Sequence, residues 1–284
     1  MIRYFLEVTY VGTGYAGFQI QENAHTIQAE VEQAFQVFFR RPVELTGSSR
    51  TDAGVHALQN YFHFDWPEPI DPECLYNLNA LLPGGIALRR CIQVDTEAHC
   101  RFDALSRVYE YHVYFRKDPF LEGRAYYFPY PMQKERLSQA AAVLVNYQDF
   151  LAFSKRRTQV KTTICQIRQS EWLFEEQKWV YRVEANRFLR GMVRGLVGTM
   201  LQVGRGKMDL IEFQDIIESK DAQRADFSVP PEGLYLVKVD FPSYLIIWLS
   251  NYYIRLHTPV VYVVKLFIQY FRSEEHTSEL QSPY

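Results

Sequence analysis

One acidic and one basic side chain stand two residues apart in Gly47-Ser48-Ser49-Arg50-Thr51-Asp52-Ala53-Gly54-Val55-His56-Ala57. A carboxylate such as that of Asp52 is ionised at neutral pH and can act as a nucleophile. The guanidinium of Arg50 can keep it ionised and oriented. Glycines bracket the stretch, and its small polar residues read as a tight loop. Apolar runs flank it, Val43 to Thr46 and Leu58 to Asp65, and both read as strands. A loop held between core strands fixes a reactive group while substrate can still reach it. The same residues also suit ordinary turn chemistry with a local Arg–Asp pair, so local sequence leaves both readings open.

The elements that must position this loop follow from periodicity. Ile2 to Tyr10 alternates as a strand. The glycine-rich Val11 to Gln19 lacks the lysine of a phosphate-binding loop and reads as a connection with no catalytic role. Thr26 caps a helix whose apolar face is Ile27, Val31, Ala34, Phe35, Phe38 and Phe39, with Arg40 and Arg41 at its end. Asp71-Pro72 starts a second helix that buries Leu75, Leu78, Leu81 and Leu82, and Ile86 to Val94 is a strand. The second half repeats the alternation. Val108 to Phe115 is a strand, Leu137 to Tyr147 a helix, and Thr162 to Phe174 with Trp179 to Ala185 a hairpin. Phe188 to Val203 is a long apolar helix, Leu210 to Ser219 a shorter one, and Leu234 to Val239 the closing strand. The order implies an α+β fold with α/β-type alternation, close to a split βαβ pattern. The expected division is 1–104, an N-terminal half with the catalytic loop; 105–242, a second half; and 243–284, an atypical tail.

Composition narrows the function classes. The chain has 284 residues, 48% of them hydrophobic, which is enough for one large or two small cores. Twenty Tyr and 20 Phe can serve cores or stack on bases. A net charge of −2 gives no global case for nucleic-acid binding, so any such case rests on where the cations cluster. Cys74, Cys91, Cys100 and Cys165 lack C-x-x-C spacing, which suits a reducing cytosol and suggests no metal site. No signal peptide is visible. His56, His63 and His99 read as structural.

The run Arg50 to Ala57 resembles the signature of the TruA-type tRNA pseudouridine synthases. Further matches follow in order: Arg101-Phe102-Asp103-Ala104, with Asp103 in place of a Ser; Arg107-Val108-Tyr109-Glu110-Tyr111; Phe188, Met192, Val193, Arg194, Val197 and Gly198 on one helix; and Glu232-Gly233-Leu234-Tyr235-Leu236. Val11 and Phe18 depart from the family's Asp and Trp, and Ser48-Ser49 from its Ala-Gly. The resemblance implies the pseudouridine synthase fold, two similar halves with mixed, mainly antiparallel sheets around a cleft. It implies isomerisation of uridine to pseudouridine in the anticodon stem-loop of tRNA (positions 38–40). Asp52 would be the nucleophile, Tyr109 would stack on the target base, and Arg194 would pair with a carboxylate or a phosphate. It also implies no cofactor, no metal, no membrane contact and a cytoplasmic homodimer. A catalytically silent tRNA-binding protein of the same fold and a carboxylate-dependent nucleoside hydrolase are the alternatives.

Positive charge clusters at Lys155, Arg156, Arg157 and Lys161 in a polar loop, and at Arg190 on the long helix, giving candidate tRNA contacts. Beyond Pro242 the apolar run Tyr244 to Phe271 is interrupted by Asn251, Arg255, His257, Pro259 and Lys265, so it makes a poor membrane span. Arg272 to Ser282 resembles a translated sequencing adapter, and the expectation is that this tail is foreign to the natural protein.

Overall fold

The N-terminal apolar run forms β1 (Ile2–Tyr10), and residues on both of its faces are buried. It therefore lies inside a sheet, antiparallel to β3 (His56–Trp66) on one side and β4 (Ile86–Val94) on the other. The computed structural model describes residues 1–155 and 162–246. Met1–Pro242 make one compact unit and Ser243–Tyr284 a second, of which a short helix, Ser243–Ile246, is described.

The strand expected over Val43 to Thr46 contracts to β2 (Thr46–Gly47). Side chains of the first helix take the backbone groups of Leu45: Gln28 Nε2 donates to its carbonyl at 2.7 Å, and its N–H donates to Glu32 Oε1 at 3.1 Å. No ladder bond is then left for it to make. That helix, α1 (Ile27–Phe39), starts where Thr26 Oγ1 accepts from the Ala29 N–H. Its buried stripe is Ile27, Val31, Ala34 and Phe35, whereas Phe38 is exposed. Phe35 sets its ring edge-on to Phe64 at 5.3 Å. The next helix, α2 (Cys74–Leu81), buries Cys74 and Leu78, while Leu81 faces outward.

In the second half, β5 (Ser106–Tyr114) runs antiparallel to β8 (Lys178–Ala185), which forms a hairpin with β7 (Ile167–Phe174). A two-residue strand, β6 (Tyr126–Tyr127), adds to β5. The helices α3 (Lys134–Val143), α4 (Met192–Gly204) and α5 (Leu210–Ser219) supply the other layer. Tyr111, Tyr181 and Val183 from the sheet pack with Leu137, Leu196, Met200 and Phe213 from the helices. Each such side chain contributes about 2–3 kcal/mol of hydrophobic stabilisation. The long helix starts at Met192 rather than Phe188, because Gly191 takes φ +75° just before it.

Strand β9 (Leu234–Asp240) joins the halves. It pairs antiparallel with β5 and, over His56↔Tyr235 and Ala57↔Leu236, parallel with β3. One mixed sheet of order β4-β1-β3-β9-β5-β8-β7 results, with helices packed on it, an α+β architecture. The loop carrying Asp52 enters β3 at that parallel junction. Among the described residues no helix is long and apolar enough to cross a membrane.

Candidate active site

Asp52 opens a turn. The Val55 N–H donates to Asp52 O at 3.2 Å, and Gly54 between them takes φ +79°, the left-handed position that glycine fills without strain. A Cβ on Gly54 would also stand 2.8 Å from Pro231 Cγ. On the other side the glycine-rich loop lies backbone against backbone. A Cβ on Gly12 would meet Val55 O at 2.0 Å, and one on Gly17 would meet Thr51 O at 3.0 Å. The Phe18 N–H donates to Thr51 O at 3.1 Å. That loop, expected only to connect, is a wall of the site.

Buried side chains complete the frame. Asn60 Nδ2 donates to Ser49 O at 2.9 Å and to Tyr10 Oη at 3.1 Å, and Tyr10 Oη shares a hydrogen bond with Thr51 Oγ1 at 2.8 Å. His56 accepts from the Gly12 N–H at Nδ1, 3.1 Å, so the proton sits on Nε2, which donates to Glu232 O at 3.1 Å. Burial lowers the pKa of this imidazole and keeps it in that neutral form. One ring therefore ties the glycine loop, the start of β3 and the segment before β9.

Within this frame the Asp52 carboxylate is half-buried and pairs with Arg190 Nε at 3.6 Å. The partner is thus Arg190, from just before α4, while Arg50 is exposed. Tyr109 reaches the same place from β5. Desolvation pushes its hydroxyl up to about 12, with the negative charge of Asp52 adding and Arg107 opposing. Its ring stands edge-on to Phe188 at 5.0 Å. Asp52, Tyr109 and the pair Phe188 and Arg190 are drawn together from three separate stretches of chain.

Arg194 is engaged elsewhere, donating through Nε and Nη2 to Val229 O at 2.8 and 2.6 Å. It anchors the segment that carries Pro231 onto Gly54 and Glu232 onto His56. Gly198 assists, since a Cβ there would meet Asp226 O at 2.2 Å. The Lys155 N–H donates to Arg190 O at 2.9 Å, and its side-chain carbons cover Gly191. Arg156, Arg157 and Lys161 lie outside the described residues. No cluster of metal-ligating side chains occurs among the described residues.

A family model described as tRNA pseudouridine synthase matches residues 140–242. The tRNA pseudouridine synthase A of Parabacteroides distasonis is 45% identical over 247 residues, 86% of this chain and 98% of its own. That of Porphyromonas gingivalis is 45% identical over 86% of this chain and 98% of its own. That of Staphylococcus aureus strain MRSA252 is 36% identical over 84% and 91%. The chain belongs to the tRNA pseudouridine synthase family. It is thereby an isomerase of that family, with the pseudouridine synthase fold.

Membership gives the family's motif residues a place in space, and the structure adds others. Arg107 was read as the first residue of the Arg-x-Tyr-x-Tyr match with no role of its own, yet its half-buried guanidinium donates to Ser49 Oγ at 3.1 Å and to Arg101 O at 2.9 Å. Period-two alternation, which puts Arg107, Tyr109 and Tyr111 on one face of β5, was a signal that could have found it. His56 read as a core histidine and turns out to hold both flanks of the turn.

Proposed function

We propose that this protein converts uridine to pseudouridine in the anticodon stem-loop of tRNA, with Asp52 as nucleophile. The observation that carries the reading is the half-buried Asp52 carboxylate, paired at 3.6 Å with Arg190, two residues from the Phe188 ring that Tyr109 meets edge-on at 5.0 Å. In the reaction the C1′–N1 glycosidic bond breaks, the uracil turns, a C1′–C5 bond forms, the hydrogen of C5 leaves as a proton and N1 takes up a proton. A carboxylate can carry the sugar or the base through that exchange as a covalent adduct and depart unchanged. Substrate and product have the same composition, so the chemistry calls for no redox partner and the reading includes no cofactor.

Tyr109 and Phe188 offer an aromatic corner for the extruded base. Taking a base out of its stack costs about a few kcal/mol, which contacts in the site must offset. Tyr109 stays a neutral phenol through the working range, suited to stacking and to donating a hydrogen bond. Arg194 acts by fixing the segment behind the turn. The reading includes a cytoplasmic homodimer, and the four free cysteines suit a reducing compartment.

Tritium release from tRNA labelled at uracil C5 tests it. The wild-type protein is expected to release tritium. Asp52→Asn is expected to lose turnover by about 10³-fold or more while binding tRNA within a few fold. Binding without release by the wild type would leave a silent tRNA-binding protein, and retained turnover in Asp52→Asn would remove the assigned nucleophile.

A further inference from the structure

Arg107 is a hub. Besides Ser49 Oγ and Arg101 O, its guanidinium donates to Ser48 O and Asn186 O, each at 3.4 Å. It has no carboxylate partner among the described residues, and burial, with Arg101 and Arg187 nearby, lowers its pKa. The hub ties three distant stretches at points that adjoin or include an arginine: Ser49 precedes Arg50, Arg101 is itself bound, and Asn186 precedes Arg187. Consecutive Cα atoms lie about 3.8 Å apart, so the three arginines leave the backbone around one centre.

Their proximity shows in the electrostatics. Burial comes first in lowering the pKa of Arg101, and the charges of Arg50 and Arg187 come next. None of the three forms an ion pair with a carboxylate among the described residues. The nearby Asp103 is occupied, its Oδ2 accepting from the His99 N–H at 2.7 Å. Beside them Phe102 is 74% exposed, its ring 4.2 Å from that of His99 and 5.8 Å from the Arg101 guanidinium. A chain of net charge −2 thus gathers three arginines that make no ion pair among the described residues, and one largely exposed aromatic ring, on the rim of the turn that carries Asp52.

We infer that Arg50, Arg101, Arg187 and Phe102 form a binding site for the RNA strand next to the target nucleotide. The arginines take its phosphates, and Phe102 takes the face of a neighbouring base. Guanidinium forks match phosphate oxygens two bonds at a time. An exposed aromatic beside a basic groove is how unpaired nucleotides are held without regard to sequence. The repulsion among the arginines is relieved when phosphates enter. This site rests on the proposed function for the identity of its polymer, and on the Arg107 hub for its geometry.

The test is the affinity of the full chain for an unmodified tRNA transcript, measured against salt concentration. Arg101→Gln/Arg187→Gln is expected to weaken binding at least tenfold at ~0.1 M salt and to reduce the log–log salt slope by about 1.4, two single-strand phosphates. Arg101→Lys/Arg187→Lys is expected to keep the wild-type slope. Phe102→Ala is expected to weaken binding about fivefold or more with the slope unchanged, and Phe102→Trp to restore it. An unchanged slope in the Gln pair, or the same loss in the Lys pair, overturns the site. Tritium release by the wild type separates the two ideas. Release with unchanged slopes sinks the site alone, whereas no release with altered slopes sinks the synthase reading and leaves an RNA-binding rim.

Discussion

The turn that carries Asp52 is held by its neighbours' backbones and buried side chains, whereas the rim that carries Arg50, Arg101 and Arg187 is held by one guanidinium, mostly through backbone carbonyls. Tyr10, Asn60, His56 and the two glycine approaches leave the turn no slack. On the rim, Arg107 fixes where each arginine starts and leaves Arg50 and Arg101 exposed. A group that must form a bond to one carbon needs fixed geometry before substrate arrives. A group that meets a flexible polymer gains from side chains that can follow it. Substitutions in the first region should therefore act on turnover, and those in the second on affinity and its salt dependence.

The largest effect short of removing the carboxylate is expected at Gly12. A Cβ there would stand 2.0 Å from Val55 O, a backbone atom that cannot swing aside. Gly12→Ala should lower single-turnover rate by about 100-fold or more and cost about 2–3 kcal/mol of stability, read from rate and denaturant midpoint together. His56 comes next. His56→Ala leaves the Gly12 N–H and the Glu232 carbonyl without their partner, and about a 30-fold loss in kcat with little change in KM is expected. His56→Asn keeps an acceptor near the Nδ1 position and should recover part of that rate. Equal losses in both variants would mean that the ring supplies packing alone.

These two residues show where sequence was legible and where it was not. Strand β1 and helix α5 were readable to the residue, because the strand's alternation and the helix's amphipathic pattern mark them without help from the rest of the chain. The turn was readable as a turn, since glycine and small polar residues encode it locally. Its walls were not. Gly12 looked like a flexible connection, and only the close approach of Val55, 43 positions away, makes it a constraint. The pairing of Asp52 with Arg190 rather than Arg50 depends on how β3 and β9 meet, a long-range fact with no period to betray it. Helix α4 was read too long for a local reason, the left-handed Gly191 at its start.

A pH experiment probes the held region at lower amplitude. For His63, paired in register with Thr46 just before the turn, burial lowers the folded-state pKa to about 4, with His99 and Arg3 lowering it further against Asp65 and Asp103. Unfolded, the ring titrates near about 6.5. Between those values the unfolded chain binds the extra proton, so this stability is present above pH ~6.5 and is lost as pH falls toward 4. The loss from His63 is about 2–3 kcal/mol. Burial lowers His56 and His99 in the same direction. Denaturant melts of His63→Phe at pH 7 and pH 4.5 should show a drop smaller than that of the wild type by about 2 kcal/mol. An equal drop would place the acid sensitivity elsewhere.

The smallest expected effect lies at Arg190, where the two regions meet. It touches the carboxylate of the held turn at 3.6 Å, yet its own side chain is 60% exposed, like those of the rim. An ion pair so open to solvent is worth about 0.5–1 kcal/mol, because water screens the attraction and ordering a long side chain costs entropy. Arg190→Gln should then lower kcat about two- to fivefold, leave KM nearly unchanged and leave the salt slope for tRNA as it was. A fall in that slope of about 0.7 would instead mean that Arg190 leaves Asp52 for a phosphate when RNA binds. The boundary between fixed turn and adaptable rim would then run between Asp52 and its own partner.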